Sequence, residues 1–239
     1  MSGAARMKKE RHILGEEARF AGLAALLKRP DAPWTEVLNC LARWPAEQAA
    51  ERAVAAVEAV AERWPGHVRG LSRWVVQQLV GGDVRPYLRV LRALDLRRAW
   101  SVQRRDLLLA RMIAEGQVAR LDSFTTRYDL GEELIPRIVG SICGLQSLSI
   151  GGSGVSSDGA RALALAPALG GLISLSLHNN QIHDDGAEAL IASQWLGGLR
   201  FLNLHGNRLS PAMAARIAAA PQWQGTRIVL GCQRGPRSR

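Results

Sequence analysis

Two histidines set 27 positions apart, His178 and His205, are the first residues whose type and spacing could do chemistry, and Cys232 follows at the same interval. On adjacent strands about 4.8 Å apart, two stacked imidazoles could share a metal ion at about 2.0–2.1 Å. Ligands on three successive strands would be almost collinear, however, and Gly151 interrupts the row on the other side. A polar row of surface histidines is the simpler reading, and no metal is assigned. A hydrolase would combine Ser176 and His178 with Asp184 or Asp185. It needs a base within hydrogen-bond reach of the nucleophile and an oriented third group. Side chains two residues apart on one strand splay across about 7 Å, and the chain has no Gly-x-Ser-x-Gly elbow. It also lacks a phosphate-cradling glycine loop, a Cys-x-x-Cys pair and a His-Glu-x-x-His helix. The expectation is a non-enzymatic protein with no catalytic residues and no cofactor.

What positions these side chains is a repeat. LQSLSIGGSGVSSDGARALALAPALGG is followed without insertion by LISLSLHNNQIHDDGAEALIASQWLGG and by LRFLNLHGNRLSPAMAARIAAAPQWQG. Leu145, Leu172 and Leu199 share one column, Leu148, Leu175 and Leu202 another, and Leu163, Leu190 and Ile217 a third. Each unit opens L-x-x-L-x-L, the two-residue period of a strand with one buried face. Each continues into alanine-rich sequence with helical spacing. A strand and helix this short cannot bury their apolar faces alone, so the units must stack, strand beside parallel strand and helix beside helix.

Ser153, Asn180 and Asn207 mark the corner between strand and helix, where an amide can satisfy buried backbone groups; the shorter Ser153 predicts a less well tied first corner. Ser156 and the pair Ser210-Pro211 read as helix starts. In the middle unit His183 suits the role poorly, and Asp184 is expected to replace it.

The stretch LISLSLHNNQIHDDGAEALIAS resembles the ribonuclease-inhibitor-like class of leucine-rich repeats, with its L-x-x-L-x-L-x-x-N-x-I/L core and following G-A-x-x-L-A helix. The resemblance covers about 80 residues strongly. It implies an α/β solenoid with parallel strands on the concave face and helices on the convex face, one that binds another macromolecule. On such a solenoid the third, fifth and seventh positions of each unit face the concave solvent. The partner-binding candidates are therefore Ser147, Ser149, Ser174, Ser176, His178, Phe201, Asn203 and His205, with Phe201 as the aromatic anchor.

Counting back by 27 extends the pattern. Leu91, Leu94 and Leu96 fall in the columns of Leu145, Leu148 and Ile150, and Leu109 in that of Leu163; Val118, Leu121 and Ser123 lie between. This alignment adds Ala93, Asp95 and Arg97, then Arg120, Asp122 and Phe124, to the concave face. Pro136 in a helix column, with Leu134, Ile135, Ile138 and Val139 slipped from the period, predicts a shortened or shifted helix. At the far end Val229 keeps its column and Gly231 does not.

The expected organisation is thus an all-α N-terminal cap over 1–88 and leucine-rich repeats over 89–231. Within the latter, 89–144 are degenerate, 145–225 regular and 226–231 a terminal strand; residues 232–239 form a basic disordered tail. In the cap, the sequence predicts helices over 8–28, from Pro33 to near Arg43, between Trp44-Pro45 and Trp64-Pro65, and over 67–80. Trp34, Trp44, Trp64 and Trp74 are its expected packing aromatics. Three well-separated cysteines argue against a disulfide framework and for a cytoplasmic setting. FAGLAALL, after Glu16 and Glu17, reads as a helix face, not a signal peptide.

The formal charge is +10 among 239 residues. Its densest window, Arg69 to Arg111, includes Arg97, Arg98, Arg104 and Arg105 around Trp100. These arginines are the alternative site, for nucleic acid or another anionic polymer; a protein partner at the concave face is the primary expectation, with no membrane contact.

Overall fold

The structure is a computed structural model and describes residues 3–44, 49–64, 70, 90–96, 109–114, 116, 118–127, 134–231 and 233. The chain divides into two compact units, Met1–Leu91 and Arg92–Arg239. Among the described residues no helix is long and apolar enough to cross a membrane.

In the first unit, helix α1 spans Gly3–Lys28, α2 Trp34–Ala42 and α3 Ala49–Glu58, with a 3-10 turn at Ala61–Arg63. Helix α2 starts behind Pro33, as the sequence predicts. The third helix ends earlier than predicted: Val60 leaves the helical region at φ −121°, and the break lets both Ala61 and Trp64 be buried. Leu23, Val37, Leu38, Leu41, Val54 and Val57 form the apolar centre. Trp34 and Trp64 meet edge to face at 5.7 Å, and their indole N–H groups donate to Gly70 O and Ala32 O, each at 2.9 Å. The Arg63 guanidinium donates to Arg29 O at 2.5 Å and to Leu27 O, which satisfies carbonyls at the end of α1. Trp44 is buried as well. Trp74 and, apart from Gly70, the helix predicted over 67–80 lie outside the described residues.

The second unit is an α/β body built on a six-stranded, all-parallel sheet whose strands follow chain order. They are β1 Ala93–Asp95, β2 Ser123–Thr126, β3 Ser147–Ile150, β4 Ser174–Ser176, β5 Phe201–Asn203 and β6 Arg227–Val229. Leu148 pairs with Leu175 and Leu175 with Leu202, so the 27-residue period is the strand-to-strand step. Helices α4 Leu134–Ser141, α5 Ser157–Ala164, α6 Asp184–Ile191 and α7 Pro211–Ala218 supply the rest of the repeat. Leu163, Leu190 and Ile217 on the helices are as fully buried as Leu148, Leu175 and Leu202 on the strands. Each such side chain contributes about 1.5–3 kcal/mol. Leu169, Leu196 and Trp223 close the units from short 3-10 turns.

The period slips outside the regular block. Ala93 pairs with Ser123 and Ser123 with Ser147, steps of 30 and then 24 residues. The column of Leu145, Leu148 and Ile150 is therefore filled in β2 by Leu121, Phe124 and Thr126, three residues beyond the expected Val118, Leu121 and Ser123. Phe124 is fully buried and not on the solvent side. Arg120 and Asp122 precede the strand and are displaced from the open face with it. At β6, Leu202 pairs with Ile228, a step of 26, so Val229 does not hold the expected column.

Helix α4 is shifted but not shortened. It is eight residues long, as α5 is, with Pro136 in its first turn, where the missing N–H costs no helical bond. Residues 109–114 are helical too, with Leu109 and Met112 buried.

Candidate functional site

The register places alternate side chains in three rows on the face of the sheet opposite its leucines. The first row runs Ala93, Ser123, Ser147, Ser174, Phe201, Arg227, and the second Asp95, Thr125, Ser149, Ser176, Asn203, Val229. Two residues further on, past the ends of the paired strands, come Arg127, Gly151, His178, His205 and Gly231. Backbone bonds hold this third row: Gly152 N–H donates to His178 O at 2.8 Å and Asn179 N–H to His205 O at 2.7 Å. All eight residues singled out for partner binding thus share one side of β3, β4 and β5 and the turns that follow. Most are half-buried, and Ser176 is only 8% exposed.

The corners behind this face are tied by amides. Asn180 Oδ1 accepts from Ser153 N–H and Val155 N–H at 2.9 and 3.1 Å, and its Nδ2 donates to Ile150 O and Leu177 O at 2.6 and 2.9 Å. Asn207 repeats the pattern one step on, accepting from Ile182 N–H and donating to Leu177 O and Leu204 O. Ser153 reaches only Gly151 O, at 3.4 Å. Among the described residues that is its one side-chain bond, where Asn180 and Asn207 each make several.

Helix starts follow the same economy. Ser156 Oγ accepts from Asp158 N–H and Gly159 N–H, and Ser210 Oγ from Met213 N–H. His183 occupies the cap position of α6 without a side-chain bond. Asp184 does not replace it: its Oδ1 accepts from Ser210 N–H of the next unit at 2.7 Å.

Ser176 and His178 are closer than strand spacing alone suggests. Ser176 Oγ lies 3.0 Å from His178 Nδ1, because the imidazole folds back over Gly151, where any Cβ would collide with the ring. The glycine that interrupts the histidine row is therefore the space the ring uses, and the ring leans toward β3, away from the strand carrying His205. Burial, then Arg127, then His205 hold the His178 pKa below its ordinary value. The acids considered as a third group are engaged elsewhere. Asp184 faces Ser210, and Asp185 accepts from Ser157 Oγ at 2.5 Å and pairs with Arg161. The Ser157 bond, foremost, holds the Asp185 carboxyl below its usual range. Neither carboxylate is brought to Ser176. Among the described residues, no group of three or more His, Cys, Asp or Glu side chains is placed to hold a metal ion.

Cys232, the third member of the sequence row, lies outside the described residues. Gly231 is the residue beside His205, 3.6 Å from Nδ1 to a Cβ built on it. Arg97, Arg98, Arg104 and Arg105 of the basic window, with Trp100, also lie outside the described residues. Arg127 was not among the sequence candidates. The signal for it is in the chain: LDSFTT over 121–126 matches LQSLSI over 145–150 position for position, and aligning those two hexads puts Arg127 in the row of Gly151 and His178.

No protein-family model matches the chain, and no curated protein does. A solved Bacteroides fragilis protein, a structural-genomics target, is similar at 12% identity and a TM-score of 0.27, over 80% of this chain and 86% of that one. A likeness of that degree carries no inference about fold or role.

Proposed function

We propose that the chain is a leucine-rich-repeat protein of the ribonuclease-inhibitor-like class, a non-enzymatic interaction module that works in the cytoplasm. In this reading the parallel sheet is the concave wall of a solenoid. A protein partner lies across Ser147, Ser149, Ser174, Ser176, His178, Phe201, Asn203 and His205. The observation that supports it most is the unbroken register of β3, β4 and β5, which lines these side chains up in rows about 4.8 Å apart. A surface of short polar side chains with one half-buried aromatic has the composition of a contact patch with an anchor.

A pull-down from the source cell, run in parallel with wild type and with a Phe201→Ala, His205→Ala double variant, tests it. The double variant should lose the partner and keep the wild-type melting transition. Equal recovery by both proteins would remove this surface from the account.

A further inference from the structure

The reading of the open sheet face as a protein-binding surface leaves the chemistry of the partner undefined, and the charges on the face supply it. Arg127, after β2, and Arg227, on β6, are both exposed, and among the described residues neither has an acidic partner. The one acid in the rows, Asp95, stands on β1 at the far edge and already has an interaction of its own. Between the arginines lie His178 and His205. The side chains that bear electrostatically on His178 are Arg127 and then His205, and among the described residues no carboxylate offsets them. From β2 to β6 the face thus carries a positive side chain at either side, Arg127 and Arg227, with serines between them and Phe201 beside Arg227 in the first row.

We infer that this face receives an extended peptide segment with two acidic side chains, one set against Arg127 and His178 and the other against Arg227, and an apolar side chain resting on Phe201. The inference rests on the concave-face reading proposed above. Four strand spacings of about 4.8 Å separate the arginine-bearing strands. With the two-row offset between Arg127 and Arg227, about 13 Å along the strands, the span is about 23 Å, or six to seven residues of extended chain. Ser149 and Asn203, in the row between the two arginines, can donate to and accept from a peptide backbone. A nucleic-acid strand would suit the rows less well, because its evenly spaced phosphates call for cations along the whole groove and a stacking ring for successive bases. Here the middle strands carry serines, and one ring serves.

The test is to pan a random dodecapeptide display library on the full-length chain, on an Arg127→Glu, Arg227→Glu variant and on the Phe201→Ala, His205→Ala variant. Circular dichroism and melting transitions establish that each is folded. The expected result is a consensus with two acidic positions about six apart and an apolar residue near one of them. A synthetic consensus peptide should then bind the charge-reversed variant at least tenfold more weakly and lose affinity as salt rises. Peptides without acidic bias, retained by the charge-reversed variant but lost by Phe201→Ala, His205→Ala, would overturn the acidic partner and leave the face reading standing. No enrichment, or enrichment indifferent to both variants, would overturn the two together. Tighter binding of oligouridine than of any selected peptide, lost on charge reversal, would overturn the peptide in favour of nucleic acid.

Discussion

Asn180 and Asn207, one repeat apart, donate to the same backbone carbonyl: each Nδ2 lies 2.9 Å from Leu177 O. One carbonyl thus uses both lone pairs on the amides of two successive corners, and the two units share a buried polar network. Deleting either amide orphans several buried groups at once, the costly direction of hydrogen-bond loss. Asn180→Ala, which strands the Ser153 and Val155 N–H groups and takes the amide from Ile150 O while Leu177 O keeps Asn207, should cost about 2–4 kcal/mol by that reasoning. Ser153→Ala should cost under about 1 kcal/mol, since among the described residues its side chain makes one long bond, within its own turn. Urea unfolding of the two variants measures the difference; equal losses would refute the shared-corner account.

The leucine ladder predicts a second contrast. Leu175 is fully buried between Leu148 and Leu202, and Leu175→Ala should cost about 2–5 kcal/mol. Gln181 is exposed and joins the fold through its backbone N–H to Val155 O, so Gln181→Ala should stay within about 0.5 kcal/mol of wild type. Thermal or urea unfolding followed by circular dichroism reads both.

The helix starts predict a third. Ser210→Ala removes a cap bond to Met213 N–H and should cost about 1 kcal/mol. His183→Ala, at the equivalent place in α6, removes no cap bond and should cost no more than a few tenths of that. A loss at His183 as large as at Ser210 would mean that its side chain ties the helix by some other contact.

The regular block was readable because its apolar columns repeat without a gap, and strand pairing in register is the arrangement that buries all of them together. The slip at β2 was hidden by compensation. A step of 30 followed by one of 24 restores the period by β3, so counting back from Leu148 lands correctly on Leu94 and wrongly in between. Burial decides the matter physically: a strand moved by an odd number of residues turns every side chain to the opposite face, and Phe124 has to be inside. The Ser176 to His178 hydrogen bond escaped the sequence for a different reason. Strand geometry fixes where the two Cβ atoms sit, but the rotamer that closes the gap depends on the empty space over Gly151 one strand away.

His178 gives a pH prediction. Burial, Arg127 and His205 disfavour its charged form in the folded chain, so its folded pKa lies below the unfolded value of about 6.5. Above that value both states are neutral and the group costs nothing. As pH falls through and below it, the unfolded chain takes up the proton more readily, and stability is lost. An NMR titration of the imidazole should place its midpoint below 6.5, and Arg127→Glu should raise it. An unmoved midpoint in the variant would show that Arg127 does not act on the ring. Binding of a carboxylate beside His178 would stabilise the imidazolium, so peptide binding should take up protons and tighten as pH is lowered from about 7 to 6.

Gly151→Ala follows from the same geometry and separates packing from backbone effects. A Cβ at 151 would overlap the His178 ring, so the imidazole has to swing off β3 and release Ser176 Oγ from its 3.0 Å bond. Overpacking of this kind costs about 1–3 kcal/mol. Gly151 does not use the left-handed region, since it is absent from the glycines with positive φ while Gly152 next to it has φ +64°, so alanine brings no backbone strain of its own. In a His178→Ala background the collision disappears, and Gly151→Ala should then be nearly neutral. The double-mutant cycle therefore predicts a coupling close to the whole cost of the single substitution. An equal cost in both backgrounds would mean that something other than the imidazole requires glycine at 151, and that the Ser176 to His178 bond does not depend on that opening.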